Sequence, residues 1–481
     1  MQNKFRYIPK EQRKKILLLC DDIRLHSGIA TIAREIVIGT SHHFNWVNLG
    51  GAIQHPDKGK KFDISAETSK LNGIDDASVF IYPIEGYGDS NSLRQIISLE
   101  KPDAIMIFTD PRYWIWLFQI ENEIRKKLPI IYYNIWDDYP APLYNKSYYE
   151  SCDALLAISK QTENINKIVL QEKAKDKIIK YIPHGINENI FRPLSEQEKQ
   201  SEPFKNLKKK LFADRDYNFI ALFNSRNIRR KNPGDVILAW RYFIDTLPKE
   251  QAQKCVLIMH TQGIDQNGTD LYAVRELLCD PEYCNVIIDE SRLSSEDMNY
   301  LYNMIDVNLL ISSNEGWGLS LTEAMMAGKM IIANTTGGMQ DQMRFIDSNN
   351  KWIEFNEKFP SNHRGTFKKC GEWAIPVYPT NLSLVGSVPT PYIFDDRCNP
   401  EDVANAITEV FSLTPEERTQ RGLKAREWVT SDESRMSASK MCQNMIESID
   451  ETLEKFTPRI SYELIKIRDR KPNYINHNLI Y

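Results

Sequence analysis

At 481 residues and 55.9 kDa the chain exceeds what one hydrophobic core serves, so two domains are the expectation. Its 42% apolar content can fill two cores, and a formal charge of −4 with a pI near 6.1 excludes the simplest mark of a dedicated nucleic-acid binder, a strongly basic total. Eight cysteines are spread over the length with no CxxC and no Cys/His cluster of zinc spacing, so they read as reduced structural thiols.

The first ten residues carry charges where a secretory signal needs an apolar run, and no stretch approaches the roughly 20 apolar residues of a membrane span. A soluble cytoplasmic protein is expected. From Lys15 a short apolar run, Lys-Ile-Leu-Leu-Leu-Cys20, predicts a buried strand, and residues 21–28 lead into the helical pattern of 29–38. Similar strand-length runs at 104–108, 130–135 and 154–158 recur before turn residues or helical patterns, which indicates a parallel sheet covered on both faces. Turn residues crowd 181–193, and 194–216 is polar and lysine-rich, as a linker or exposed excursion would be.

The alternation restarts at 219–224, 255–259, 285–288, 307–311 and 330–333. The expected architecture is α/β: two facing Rossmann-like, doubly wound domains over 1–190 and 191–445, with a ligand cleft between them. Residues 349–396, rich in Pro, Gly and aromatics, read as an insertion with little regular structure. Segment 446–481 reads as a C-terminal helix and tail returning to the first domain.

The segment Glu315-Gly-Trp-Gly-Leu-Ser-Leu-Thr-Glu323 follows a predicted strand and opens a helix. Gly316 and Gly318 let backbone N–H groups approach a diphosphate at the helix N-terminus. Glu323, about one turn into the helix, is suited to ribose hydroxyls, and Glu315 on the loop to hydroxyls of a sugar. A second cluster, Ser225-Arg-Asn-Ile-Arg-Arg-Lys231, ends at Asn232 and Pro233, which read as N-cap and first helical residue and set Arg226 and Lys231 at the helix mouth. Arg229 and Arg230 read as a solvated face.

The segment 315–323 resembles the Glu-x7-Glu signature of the retaining GT-B glycosyltransferases, in particular the family 4 group. Pro183-His-Gly-Ile-Asn187 with Phe191-Arg-Pro193, Asp153-Ala-Leu-Leu-Ala-Ile-Ser159, and Leu301-Tyr-Asn-Met-Ile-Asp306 resemble further elements of that group in the same order. The resemblance implies metal-independent transfer from a nucleotide-sugar, expected to be UDP-linked, with retention of configuration and no separate cofactor. It assigns Arg226 and Lys231 to the donor diphosphate, where fixed cations stabilise the departing group. Trp317, Leu319 and the glycine loop at Gly28 fall in its donor site, and Thr336, Gly337 and Gly338 near the transferred sugar.

Where many relatives carry a histidine that contacts the sugar, the chain has Trp136-Asp137-Asp138, so Asp137, or Asp110 in Thr109-Asp-Pro, is the candidate polar group there; capping duties are the alternative. The aspartate pairs at 21–22, 137–138 and 395–396 read as loop caps rather than metal sites. The aromatic run 113–118 reads as core packing, with an acceptor wall as the alternative.

The acceptor stays open between duplex DNA and a glycan, lipid or protein. Residues 337–342 together with 389–396 look like glycosyltransferases of tailed phages, some of which decorate hydroxymethylated cytosine in their own DNA, which would set the protein in host cytoplasm. A basic groove for that acceptor would draw on residues 58–61, 208–210, Arg229, Arg230 and 466–471. A nucleotide-sugar epimerase and a non-catalytic nucleotide-sugar binder are the alternatives of a different class.

Overall fold

The computed structural model describes residues 7–53, 58–355 and 365–459. The first sheet holds β1 (Lys14–Asp21), β2 (Phe44–Ile53), β3 (Phe62–Asp63), β4 (Val79–Glu85), β5 (Ala104–Phe108), β6 (Ile130–Asn134), β7 (Ala154–Ala157) and β8 (Ile178–Tyr181), ordered β3-β4-β2-β1-β5-β6-β7-β8. Every pairing is parallel except that of the two-residue β3 with β4. Helices cover both faces, so β5, β6 and β7 are buried at every position and read in sequence as unbroken apolar runs.

The second sheet holds β9 (Phe219–Asn224), β10 (Cys255–His260), β11 (Asn285–Asp289), β12 (Val307–Leu310), β13 (Met330–Asn334) and β14 (Ala374–Val377), all parallel, ordered β11-β10-β9-β12-β13-β14. In each sheet the strand order reverses beside its first strand, at β1/β5 and at β9/β12. A crevice opens outside the carboxyl ends of the strands at such a reversal.

Two expectations change. Residues 194–216 include a helix, Glu202–Phe212, that buries Phe204, Leu207, Leu211 and Phe212 while its lysines face outward. The 349–396 stretch contributes β14 and a separate antiparallel hairpin, β15 (Asn381–Ser387) with β16 (Thr390–Arg397). Pro376 is compatible with β14 because that strand is the sheet edge. Almost all of β15 is exposed or half-buried, so no apolar face announces it in the sequence.

The chain crosses between domains twice. Ile186 donates to the Met436 carbonyl at 3.1 Å and accepts from the Ala438 N–H at 2.9 Å, which ties the crossings together. The returning helix, Ala438–Lys455, begins before residue 446 and packs along the helix Gly28–Thr40 of the first domain. That contact is tight: a Cβ on Gly39 would stand 2.4 Å from Cys442 Sγ. No helix among the described residues is long and apolar enough to cross a membrane.

Candidate active site

Both strand-order reversals open into one cleft of about 1100 Å³ between the sheets. On the second-domain side, the loop after β12 turns into the helix Leu319–Met326 through Gly318, whose φ of 89° lies in the left-handed region. On the first-domain side, the helix Gly28–Thr40 begins at the same cleft, and a Cβ on Gly28 would stand 3.4 Å from Leu319 Cδ1. Two helix N-termini therefore open on one space, with unpaired N–H groups and positive dipole ends suited to an anion.

Glu315 is 8% exposed, and its Oε2 accepts from Lys231 Nζ in direct contact, from Ser312 Oγ at 3.1 Å and from Arg230 Nη1 at 3.4 Å. Arg230 Nη1 also donates to the Asn314 carbonyl at 2.8 Å. Burial pushes the Lys231 ammonium pKa down, Arg230 adds to that and Asp137 opposes it. A buried cation of this kind favours a neighbouring anion, and Glu315 is the anion in contact with it.

Arg230, read from sequence as solvated, is thus a cleft residue. Arg226 also lines the cleft, but from its rim: its side chain is 67% exposed and its Nε lies 3.5 Å from Asp265 Oδ2. Asn232 does not cap the helix Pro233–Asp245 with its side chain; its φ is 51° and its Nδ2 donates to the Ile311 carbonyl at 3.0 Å, which fixes the loop beside Glu315.

Glu323 lines the cleft one turn into its helix, where burial raises its pKa and Tyr302 Oη, donating to Oε2 at 2.6 Å, opposes that rise. Asn224 Nδ2 donates to Tyr302 Oη at 2.8 Å, so a three-residue chain orients the carboxyl. His260, Leu293 and Met298 complete this end of the cleft, with His260 Nδ1 held by Asp289 Oδ2 at 2.8 Å.

The glycines divide their duties. Gly316, Trp317, Gly318 and Leu319 all border the cleft. Gly316 also allows the domains to touch: a Cβ there would meet Ile158 Cδ1 at 2.9 Å and the Ile135 carbonyl oxygen at 3.1 Å. Gly337 and Gly338, expected beside the transferred sugar, instead support the loop from behind, where added Cβ atoms would meet the Glu315 and Gly316 carbonyl oxygens at 2.1 Å each. The Trp317 indole is 2% exposed and donates to Thr322 Oγ1 at 2.9 Å, so it packs the loop.

Opposite, Trp136, Asp137 and Asp138 extend from β6 and are held by the helix Lys160–Leu170 that follows β7 and by a bond within the segment. Gln161 Nε2 donates to the Asp137 carbonyl at 2.6 Å, Thr162 Oγ1 to that of Trp136 at 2.8 Å, and Trp136 Nε1 to that of Asp138 at 3.0 Å. Burial, with the Asp137 carboxylate beside it, drives the Asp138 pKa well above the usual range. Asp110 reaches the cleft too, but its carboxylate takes Arg112 through Nε, at 2.8 Å, and Nη2.

His184 lines the floor, its Nδ1 2.8 Å from Tyr133 Oη, and burial alone lowers its pKa to about 3, so it is neutral near pH 7. Its motif was quoted from sequence only as an interdomain element. The aspartates at 21, 22 and 396 serve loops: Asp21 accepts from Ser27 and Tyr87, Asp22 from Arg24, and Asp396 from Thr336. In the aromatic run, Trp114 and Leu117 are buried while Tyr113 and Ile115 are exposed outside the cleft.

Residues 204–353 match the family described as glycosyl transferases group 1. An uncharacterized glycosyltransferase of Methanocaldococcus jannaschii is 27% identical over 225 residues, which are 46% of this chain and 49% of that protein. The chain therefore spans about half the length of that curated relative.

Among solved structures, Anabaena HepE in complex with UDP and glucose superposes with a TM-score of 0.61 at 13% identity, covering 91% of this chain and 100% of that one. Sucrose-phosphate synthase of Thermosynechococcus elongatus gives 0.61 at 15%, covering 92% and 100%. The UDP-forming α,α-trehalose-phosphate synthase of Burkholderia vietnamiensis gives 0.61 at 10%, covering 91% and 100%. The chain has the GT-B fold, and the match to glycosyl transferases group 1 falls in its second domain.

Proposed function

We propose that the protein is a glycosyltransferase that takes a sugar from a nucleotide diphosphate donor, UDP-linked, and transfers it to an acceptor hydroxyl with retention of configuration and without a metal. The observation that carries this reading is the pairing of Lys231 and Arg230 with Glu315 at the mouth of a helix N-terminus, one turn before the half-buried Glu323. Such a site suits a diphosphate between cations and N–H groups, with the ribose at Glu323 and the sugar at Glu315. The solved HepE complex with UDP and glucose supports the same ligand class.

In the reaction the bond from the anomeric carbon to the diphosphate oxygen breaks while the acceptor oxygen bonds to that carbon on the same face. The acceptor proton passes to the departing phosphate oxygen. Lys231 and Arg230, with Arg226 swinging in from the rim, stabilise the charge that grows on the diphosphate. These cations supply the neutralisation that metal-dependent enzymes draw from a divalent ion.

The test is incubation of the full chain with UDP-, GDP- and ADP-sugars, with and without chelator, followed by mass spectrometry. Nucleotide release or transfer that survives chelation supports the reading. Interconversion of free sugar nucleotides would make the protein an epimerase, and binding without turnover a sensor; either outcome sinks the transferase.

A further inference from the structure

The hairpin β15–β16 belongs to neither main sheet, and it joins the two domains. In the second domain, Asn334 Nδ2 donates to the Asp396 carbonyl at 2.8 Å, and the Asp396 N–H to that of Ser313 at 3.0 Å. In the first, the Phe394 N–H donates to the Tyr139 carbonyl at 2.7 Å, Tyr144 Oη to that of Tyr392 at 3.0 Å, and Arg112 Nη1 to Thr390 Oγ1. Between these anchors Val385, Gly386, Ser387 and Ile393 border the cleft.

The cleft is consequently two-sided in charge. The second-domain half carries Arg226, Arg230 and Lys231 beside Glu315 and Glu323; the half shared by the hairpin and the ends of β5 and β6 carries Asp110, Asp137 and Asp138, the last with a pKa well above the usual range. Arg112, the arginine on that second half, is committed to Asp110 and Thr390. We propose that the hairpin and these strand ends enclose the acceptor subsite, and that its acceptor is a small, uncharged, polyhydroxylated molecule, a saccharide or the terminal sugar of a chain. The inference rests on the donor reading above and adds the substrate of the opposite half.

Carboxylates accept hydrogen bonds from sugar hydroxyls, while Val385, Ile393 and the Trp136 indole offer an apolar surface to the C–H face of a sugar ring. A phosphorylated sugar or nucleic-acid backbone would find no unengaged lysine or arginine among the described residues lining this half, where Arg112 is held by Asp110 and Thr390. Within the basic runs of the surface, Lys58, Lys61 and Lys208 pair with Glu85, Glu100 and Asp216 at 2.7, 2.8 and 3.3 Å. Residues 466–471 lie outside the described residues.

The experiment gives the full chain the donor panel with three acceptor sets: neutral mono- and disaccharides, the same sugars as phosphates, and duplex DNA containing 5-hydroxymethylcytosine. Two hairpin variants accompany it. Thr390→Val removes the anchor to Arg112, and Ser387→Trp fills the subsite from the exposed end of β15.

The expected result is transfer to a neutral saccharide, with acceptor KM rising about tenfold in both variants, as loss of about 1.4 kcal/mol requires, and UDP Kd held within about twofold. Preferred transfer to DNA or sugar phosphates, or hairpin variants with unchanged acceptor KM, overturns the acceptor assignment and leaves the donor reading standing. A protein that neither binds UDP nor releases nucleotide from any sugar donor overturns both.

Discussion

Asp341 Oδ2 of the second domain accepts a 2.9 Å hydrogen bond from the Lys160 N–H at the start of a first-domain helix. The carboxyl is fully buried, and burial raises its pKa from 3.8 to about 7 against the opposing pull of the Lys160 N–H. Folding thus protonates this group at pH values where the unfolded chain leaves it ionised.

Below about pH 4 both states carry the proton; from there to about pH 7 the unfolded state binds fewer, so this group lowers stability as pH rises, by at most about 1.4 kcal/mol per pH unit. Asp341→Asn keeps an acceptor for Lys160 without the charge. Its Tm relative to the native chain should climb between about pH 4 and pH 7 in thermal melts and level off above. A flat difference across that range contradicts the raised pKa.

Lys231→Met should leave a folded protein with turnover reduced about 10²- to 10³-fold, the scale of losing one fixed group that stabilises transition-state charge. Arg230→Met should fall in the same direction by a smaller factor, because its head is 41% exposed against 9% for Lys231. Single-turnover rates at saturating donor separate this from weaker binding. A Lys231 variant at native rate would remove the lysine from the chemistry.

Glu323→Gln exchanges a charge-assisted acceptor for a neutral one against Tyr302 and, in the proposed site, against ribose hydroxyls. UDP affinity should drop about tenfold or more, on the scale of a hydrogen bond to a charged group. Tyr302→Phe should produce a smaller loss by freeing the carboxyl to rotate. Isothermal titration with UDP and with a non-nucleotide diphosphate separates ribose from phosphate contacts: Glu323→Gln affects the former alone.

Gly337 has a φ of 53°, and a Cβ there would lie 2.1 Å from the Glu315 carbonyl oxygen. Gly337→Ala is expected to lower Tm by several degrees, since the left-handed strain alone costs about 1–2 kcal/mol, and to weaken UDP binding by moving Glu315. Gly28→Ala, where the nearest atom would be 3.4 Å away, should melt close to the native chain. Equal melting of the two variants would remove the support role of Gly337.

The strands were legible because a sheet covered on both faces leaves no exposed position along β5, β6, β7 or β13, and apolar residues fill all but the closing Asn134 and Asn334. The Glu315 to Glu323 segment was legible for a different reason: its residue types are imposed by a turn and a helix start, both local. What escaped depends on distant contacts. Arg226, Arg229, Arg230 and Lys231 look alike in sequence, and only the short 3-10 turn Arg229–Lys231 decides that Arg230 and Lys231 reach Glu315 while Arg226 remains on the rim.

The same holds for Gly337 and Gly338. A glycine pair after a strand reads as a ligand loop, whereas here the close neighbour is the protein's own backbone. The hairpin was illegible because its partners, Tyr139, Tyr144 and Arg112, lie more than two hundred residues away in the chain.

The doubled crossing at Ile186 and Met436–Ala438 sets how the protein can move. A single connection would let the second domain swivel in any direction, but two strands of chain bonded side by side act like the paired pins of a door and leave one easy axis of rotation. Gly28 against Leu319, and the hairpin bonded to both domains, are the further contacts that a rotation about that axis has to stretch.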